Sequence, residues 1–168
     1  MKKAWFISLC LLILSGWMAS LSAQNRSARK AQIAEQVTKQ VNDQDFYLDI
    51  TLVQPVGLAT FTPSRGQYFL SVRDEQVSLY LPYVGRGYDV PYGGGPTLRF
   101  TSPLEHYEVQ PGKKGSSTIT LSAQNEYNRT VYMTLTVYPN GSAYLRVWVD
   151  GLQMIGYSGQ LDLETQEE

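Results

Sequence analysis

Arginine, aspartate and tyrosine, side chains well suited to recognising a ligand, come together in a glycine-rich stretch at residues 82–96 (PYVGRGYDVPYGGGP). Arg86 and Asp89 are its only charged residues and stand three positions apart. A guanidinium group can hold a carboxylate through its planar fork or stack on an aromatic ring. We therefore predict that this stretch binds a ligand, through Tyr83, Arg86, Tyr88, Asp89 and Tyr92.

The same stretch also has a structural interpretation. Disordered segments are poor in aromatic and β-branched residues, and this one contains both, so we expect an ordered loop at one end of a sheet. Arg86 and Asp89 would then pair with each other or with backbone carbonyls, and the loop would only close that end. The sequence leaves both interpretations open.

Catalytic and metal-binding patterns are missing elsewhere. His106 is the only histidine and Cys10 the only cysteine, so the ligands of a zinc site are absent. Ser158, within the sequence GYSG at 156–159, lacks the glycine spacing of a nucleophile elbow. The glycines at 93–95 are followed by proline and a strand, whereas a phosphate loop opens a helix. We predict no metal site, no cofactor and no assigned catalytic residue.

The first residues have the form of a secretory signal. Lys2 and Lys3 precede an apolar run at 5–14, and Ala23 ends a small-residue site, which predicts cleavage before Gln24. The apolar run is too short to span a bilayer. We expect an exported protein, periplasmic or secreted in a Gram-negative bacterium, with no membrane span after cleavage and with Cys10 removed.

The charge balance argues against nucleic acid as a partner. Without Lys2 and Lys3, 12 basic residues face 15 acidic residues, a formal charge of −3. Nucleic-acid binding depends on neutralising phosphates with clustered basic side chains, and no such cluster appears.

The hydrophobic pattern predicts one helix followed by β-strands. Residues 25–42 carry an apolar stripe at Ile33, Val37 and Val41, typical of an amphipathic helix. From Phe46 onward the period is two, with turn residues between about eight short runs, which predicts a mainly β domain. We favour an antiparallel up-and-down meander closing towards a barrel over a curved open sheet against the helix. The expected divisions are a signal peptide at 1–23, helix and linker at 24–45, a β domain at 46–163 and an acidic tail at 164–168.

One hairpin has a predicted register. In residues 138–142 (YPNGS), proline suits the second turn position and glycine the left-handed position that follows, giving a three-residue loop with a glycine bulge. This loop sets Val137 opposite Ala143 and Tyr132 opposite Trp148. Tyr132, Trp148 and also Tyr144 then fall on the polar faces of their strands. There they could stack on sugars or peptides, or stabilise the sheet through cross-strand pairs.

The long glycine-rich stretch resembles a motif of small exported Gram-negative proteins, the Domain of Unknown Function 4251 family. Val84 and Gly87 replace the usual phenylalanine and alanine, and residues 150–155 lack the arginine that the family has just before the last motif. The resemblance implies export and a bacterial envelope setting, and it implies no activity, ligand or catalytic residue. It is carried by Leu81, Pro82, Tyr83, Gly85, Arg86, Tyr88, Pro91, Tyr92, Gly93 and Gly94, by GQYF at 66–69, and by YSG at 157–159.

Three functions follow as hypotheses. The favoured hypothesis is an exported, non-enzymatic binding or accessory module of the envelope, whose contact surface is centred on the loop at 82–96. Its partner is unidentified. An envelope protein, a peptide or a glycan would suit that surface. The first alternative is a structural envelope protein without a ligand. The second is a hydrolase or carbohydrate-active enzyme with Arg86, Asp89 and His106 near one site.

Overall fold

The computed structural model describes residues 25–83 and 97–163. Within them, one helix, α1 (25–42), is followed by nine β-strands, which confirms the mainly β fold with an N-terminal helix. The strands are β1 (Phe46–Gln54), β2 (Phe69–Arg73), β3 (Gln76–Pro82), β4 (Thr97–Pro103), β5 (His106–Pro111), β6 (Ser117–Gln124), β7 (Thr130–Val137), β8 (Ser142–Val149) and β9 (Ile155–Leu161). A short 3₁₀ turn, Lys113–Gly115, lies between β5 and β6.

Helix α1 packs its apolar stripe against the sheet, as its sequence pattern predicts. Val37 and Val41 are buried in the common core, and Ile33 is partly buried beside it. The phenol of Tyr107 on β5 donates a hydrogen bond of 2.6 Å to the carbonyl of Val41 at the helix end, which also accepts a longer bond of 3.4 Å from the N–H of Gln44.

All nine strands form one antiparallel sheet, strongly curled into a half-barrel, in the order β4-β3-β2-β1-β9-β8-β7-β6-β5. The first strand is therefore central, and it pairs with the last as well as with β2. Every ladder is antiparallel, so the order of the strands fixes the direction of each one. Strand direction reverses at each ladder, three times from β1 to β4 and five times from β1 to β5. Strands β4 and β5 therefore run in the same direction, although they lie at opposite edges of the sheet.

Strands β4 and β5 are two halves of one bent strand. Only Leu104 and Glu105 separate them, and the backbone keeps its hydrogen bonds across the bend: Leu104 N–H donates to the carbonyl of Glu75, and Glu105 N–H to that of Ser122, both at 2.9 Å. The chain thus stops pairing with β3 on one side of the bend and begins pairing with β6 on the other. The structure has nine strands where the sequence predicts about eight, and the division near Pro103 is seen in both.

The inner face of the sheet holds the core. Side chains at alternate positions of β1–β3 and β6–β9 are buried, as two-residue periodicity requires. The 138–142 hairpin has the predicted register, with Val137 opposite Ala143 and Tyr132 opposite Trp148. Gly141 has a φ of 80° and its N–H donates to the carbonyl of Tyr138 at 2.9 Å, as expected for the glycine of this loop.

Candidate functional site

Tyr83, the first predicted site residue, directly follows β3 and is the last described residue before 84–96. Its phenol oxygen accepts a hydrogen bond of 2.8 Å from the backbone N–H of Gln153, in the connection between β8 and β9. Burial raises the pKa of the Tyr83 phenol, and the bond from Gln153 offsets part of that rise. The Tyr83 phenol is therefore neutral at physiological pH. Its hydrogen bond links the end of β3 to the β8–β9 connection.

Tyr157 makes a second tie at the same place. This residue of β9 is fully buried, and its hydroxyl donates a hydrogen bond of 2.9 Å to the carbonyl of Pro82. Strands β1 and β2 lie between β3 and β9 in the sheet, so the bond crosses the interior of the curled sheet. Burial raises the pKa of the Tyr157 phenol, and the neighbouring Tyr83 raises it further. A buried phenol needs such a partner.

The two ties hold Pro82 and Tyr83, the last described residues before 84–96. Pro82 is hydrogen-bonded through its carbonyl, and the next residue, Tyr83, is hydrogen-bonded through its side chain. Both partners belong to β9 or to the connection that precedes it. Any ligand contact made by the glycine-rich stretch would therefore start from a rigid base.

His106 does not have the surroundings of a catalytic histidine. It begins β5, with its side chain about half exposed, and its Nε2 is 3.7 Å from a carboxylate oxygen of the similarly exposed Glu108. Glu108 stands two positions along the same strand. Within residues 25–83 and 97–163, no three His, Cys, Asp or Glu side chains are grouped closely enough to hold a metal ion.

Two adjoining grooves of about 780 and 680 Å³ lie where α1, the β1–β2 connection and the end of β9 meet, and they share Arg65, Leu161 and Asp162. Asp49 in the second groove accepts a hydrogen bond of 3.0 Å from Gly66 N–H. Burial, followed by the negative charges of Asp49 and Asp162, raises the pKa of the nearby Tyr47 phenol. The bond from Gly66 gives Asp49 a structural role, because it holds the β1–β2 connection against the strand.

Aromatic side chains also lie on the outer face of β7 and β8, as predicted. The rings of Tyr132 and Trp148 stack with their centroids 5.0 Å apart and their planes 25° apart. Both remain nearly half exposed, at 48% and 44%. Such cross-strand pairs stabilise a sheet, yet this pair also presents ring surface to solvent.

Comparison with known proteins matches residues 28–161 to the model of a family described as Domain of unknown function (DUF4251). The chain belongs to the DUF4251 family. The predicted resemblance is thereby confirmed. A similar solved structure is the 1.95 Å crystal structure of a DUF4251 family protein from Bacteroides eggerthii DSM 20697, with a TM-score of 0.64 and 17% identity, covering 80% of this chain and 89% of that chain. At that identity the likeness concerns the fold alone. No curated protein matches this chain.

Four of the five predicted site residues of this DUF4251 protein, namely Arg86, Tyr88, Asp89 and Tyr92, lie outside the described residues. The structure therefore places Tyr83 and leaves the grouping of the other four as a prediction. In the part that the structure describes, no helix has the length and apolar character needed to cross a membrane.

Sequence reasoning missed Gln153 and Tyr157 as partners of the predicted DUF4251 site. A signal for Tyr157 was present, because it stands on the same face of β9 as Ile155 and Leu161. A tyrosine on an inward row must find a hydrogen-bond partner for its hydroxyl. The identity of that partner could not be read, since it depends on how far the sheet curls.

Proposed function

We propose that this chain is an exported, non-enzymatic binding or accessory module of the bacterial envelope, whose contact surface is centred on residues 82–96. The observation that carries the proposal is the double anchoring of Pro82 and Tyr83 to Tyr157 and Gln153. A binding loop gains affinity when its base is already ordered, because less conformational entropy is lost on binding. Tyr83, Arg86, Tyr88, Asp89 and Tyr92 supply the contacts.

The described residues contain no observation that favours the enzymatic alternative. Among the described residues, the ion-pair partner of His106 is the exposed Glu108, 3.7 Å away, and no metal-holding group occurs. The hydrolase alternative needs His106 beside Arg86 and Asp89, and those two residues lie outside the described residues, so this grouping stays a prediction.

A structural role without a ligand is the second candidate, and the same anchors favour it. A loop that closes the end of a curled sheet also needs a fixed base, and the Tyr157–Pro82 bond contributes to closure. In this case Arg86 pairs with Asp89 or with backbone carbonyls and stabilises the fold.

The substitution Arg86→Ala separates these two candidates. A binding module should keep its melting temperature and lose an envelope partner that the wild type enriches from detergent-extracted envelopes, as read by quantitative mass spectrometry. A structural loop should lose stability, by about 3 kcal/mol if a buried charged pair is broken. Arg65→Ala is the matched control, since its side chain is 97% exposed. The binding role would be overturned if wild type enriched no partner over resin without the protein and Arg86→Ala were destabilised.

Export is tested separately by mass spectrometry of the protein recovered from the periplasm and the medium. The expected N-terminus is Gln24, without Cys10. A mature protein that retains Cys10 or carries a lipid would contradict this part of the proposal.

A further inference from the structure

The outer face of the last four strands has an unusual charge composition. Strands β6, β7, β8 and β9 contain no Asp or Glu, and Arg146 on β8 is their only basic residue. The polar positions of this face are mainly hydroxyl-bearing. They are Thr118, Thr120, Ser122, Thr134, Thr136 and Ser158.

Arg146 is an unneutralised charge on this face. Its side chain is exposed, and it makes no ion pair or hydrogen bond with any of the described residues. Other arginines of the sheet have partners: Arg73 bonds to Asp45 at 2.9 Å, and the guanidinium of Arg99 lies 5.5 Å from the ring centroid of Tyr80. The fork of Arg146 is therefore available for an external carboxylate, which it can bind with two hydrogen bonds.

Aromatic rings stand on both sides of Arg146 along the same strand. Trp148, stacked on Tyr132, follows two positions later, and Tyr144 precedes by two. Strand geometry separates Tyr144 from Trp148 by about 13 Å, with the arginine midway. The ring of Tyr144 lies over Gly156 of β9, where a Cβ would stand 3.2 Å from the ring carbon Cε2. The glycine thus leaves room for a ring lying over the sheet.

Sheet stability alone does not account for this combination. A cross-strand aromatic pair explains why Tyr132 faces Trp148. It does not explain an isolated arginine between rings on strands without a carboxylate. Lone charges are usually solvated, but here the charge, the flat rings and the hydroxyls lie on one face and match the parts of a single class of ligand.

We propose that the outer face of β7, β8 and β9 binds an acidic polysaccharide. Pyranose rings pack their apolar faces on Trp148 and Tyr144, a sugar carboxylate is held by Arg146, and the threonine and serine hydroxyls bond the sugar hydroxyls. Charge complementarity favours this ligand over a neutral glycan, and the placement of a flat ring on each side of Arg146 favours a chain of sugar rings over an acidic peptide. The inference uses none of residues 84–96, so it stands or fails independently of the loop.

The test uses polygalacturonate as the carboxylate-bearing probe and its fully methyl-esterified form as the neutral probe. Binding to the protein produced from the whole chain is measured by titration calorimetry at low salt. We expect Arg146→Gln to weaken polygalacturonate binding about tenfold, the order expected for loss of a charged hydrogen-bonded pair. Trp148→Ala should weaken it similarly. Arg65→Gln, an equal change of net charge at an exposed site elsewhere, should leave it within about twofold.

Three outcomes would overturn the proposal. One is the absence of polygalacturonate binding. The second is an equal loss in Arg146→Gln and Arg65→Gln, which would indicate a diffuse charge effect. The third is binding of poly-glutamate as tight as that of polygalacturonate and insensitive to Trp148→Ala, which would assign the face to acidic peptides. Unchanged melting temperatures verify that the variants are folded.

Discussion

The hydroxyl of Tyr157 donates a 2.9 Å hydrogen bond to the carbonyl of Pro82 across the interior of the sheet. The bond joins β9 to Pro82, which is the last residue of β3 and the first residue of the glycine-rich stretch. Tyr83 adds a bond to Gln153 from the next position. The base of the proposed contact loop is thus held by residues 70 or more positions away.

Tyr157→Phe is expected to lower the free energy of unfolding by about 1–3 kcal/mol. The ring still fills the core, but the buried carbonyl of Pro82 loses its donor, and an unsatisfied buried group costs its full desolvation penalty. Urea denaturation measures the change. Tyr144→Phe is the control, because the Tyr144 ring lies on the outer face, and it should cost much less. Equal effects of the two substitutions would show that the interior bond contributes little.

Alkaline pH should destabilise the protein through its buried phenols. Burial raises the pKa values of Tyr157 and Tyr107 above the ordinary value of 10.0. The folded state therefore keeps these protons while the unfolded state releases them. The stability they contribute is complete below pH 10 and is lost as pH rises from there through the folded pKa values.

Urea midpoints of wild type and Tyr157→Phe, compared at about pH 9 and pH 11, check this expectation. The variant lacks one of the phenols, so its midpoint should fall less between the two pH values. A parallel fall in both proteins would mean that Tyr157 ionises as easily in the folded state as in the unfolded one.

Gly159→Ala should be far more destabilising than Gly156→Ala, although both residues lie on β9. A Cβ at Gly159 would meet backbone of the neighbouring strand, at the carbonyl carbon of Asp49 3.2 Å away, and also the side chain of Leu48. Displacing backbone in this way costs about 1–3 kcal/mol or more. At Gly156 the obstacle is the end of the Tyr144 side chain, which can rotate away. Thermal melts of the two variants rank them, and the reverse order would contradict the close approach of β1 and β9.

The sequence predicted the parts of this fold that depend on neighbouring residues. The helix stripe at Val37 and Val41 and the hairpin around Gly141 are local patterns, and both are confirmed. The bend at 104–105 was less accessible, because Pro103 breaks the alternation of β4 and β5 much as a turn would. The predicted groups at 86–92 stay predictions, and Tyr157 could be paired with Pro82 only once the curl of the sheet was known.

The central position of β1 has a consequence for how the chain folds. Among the described strands, seven of the eight ladders join strands that follow one another in sequence, and only the β1–β9 ladder joins distant ones. Residues 46–103 and 106–161 can therefore form as two separate four- and five-stranded meanders from short-range contacts. Most of the entropic cost of loop closure therefore falls on one step, the pairing of β1 with β9. We expect that step to limit the folding rate. The bond from Tyr157 to Pro82 forms only after it, so the base of the glycine-rich stretch is among the last parts of the molecule to be ordered.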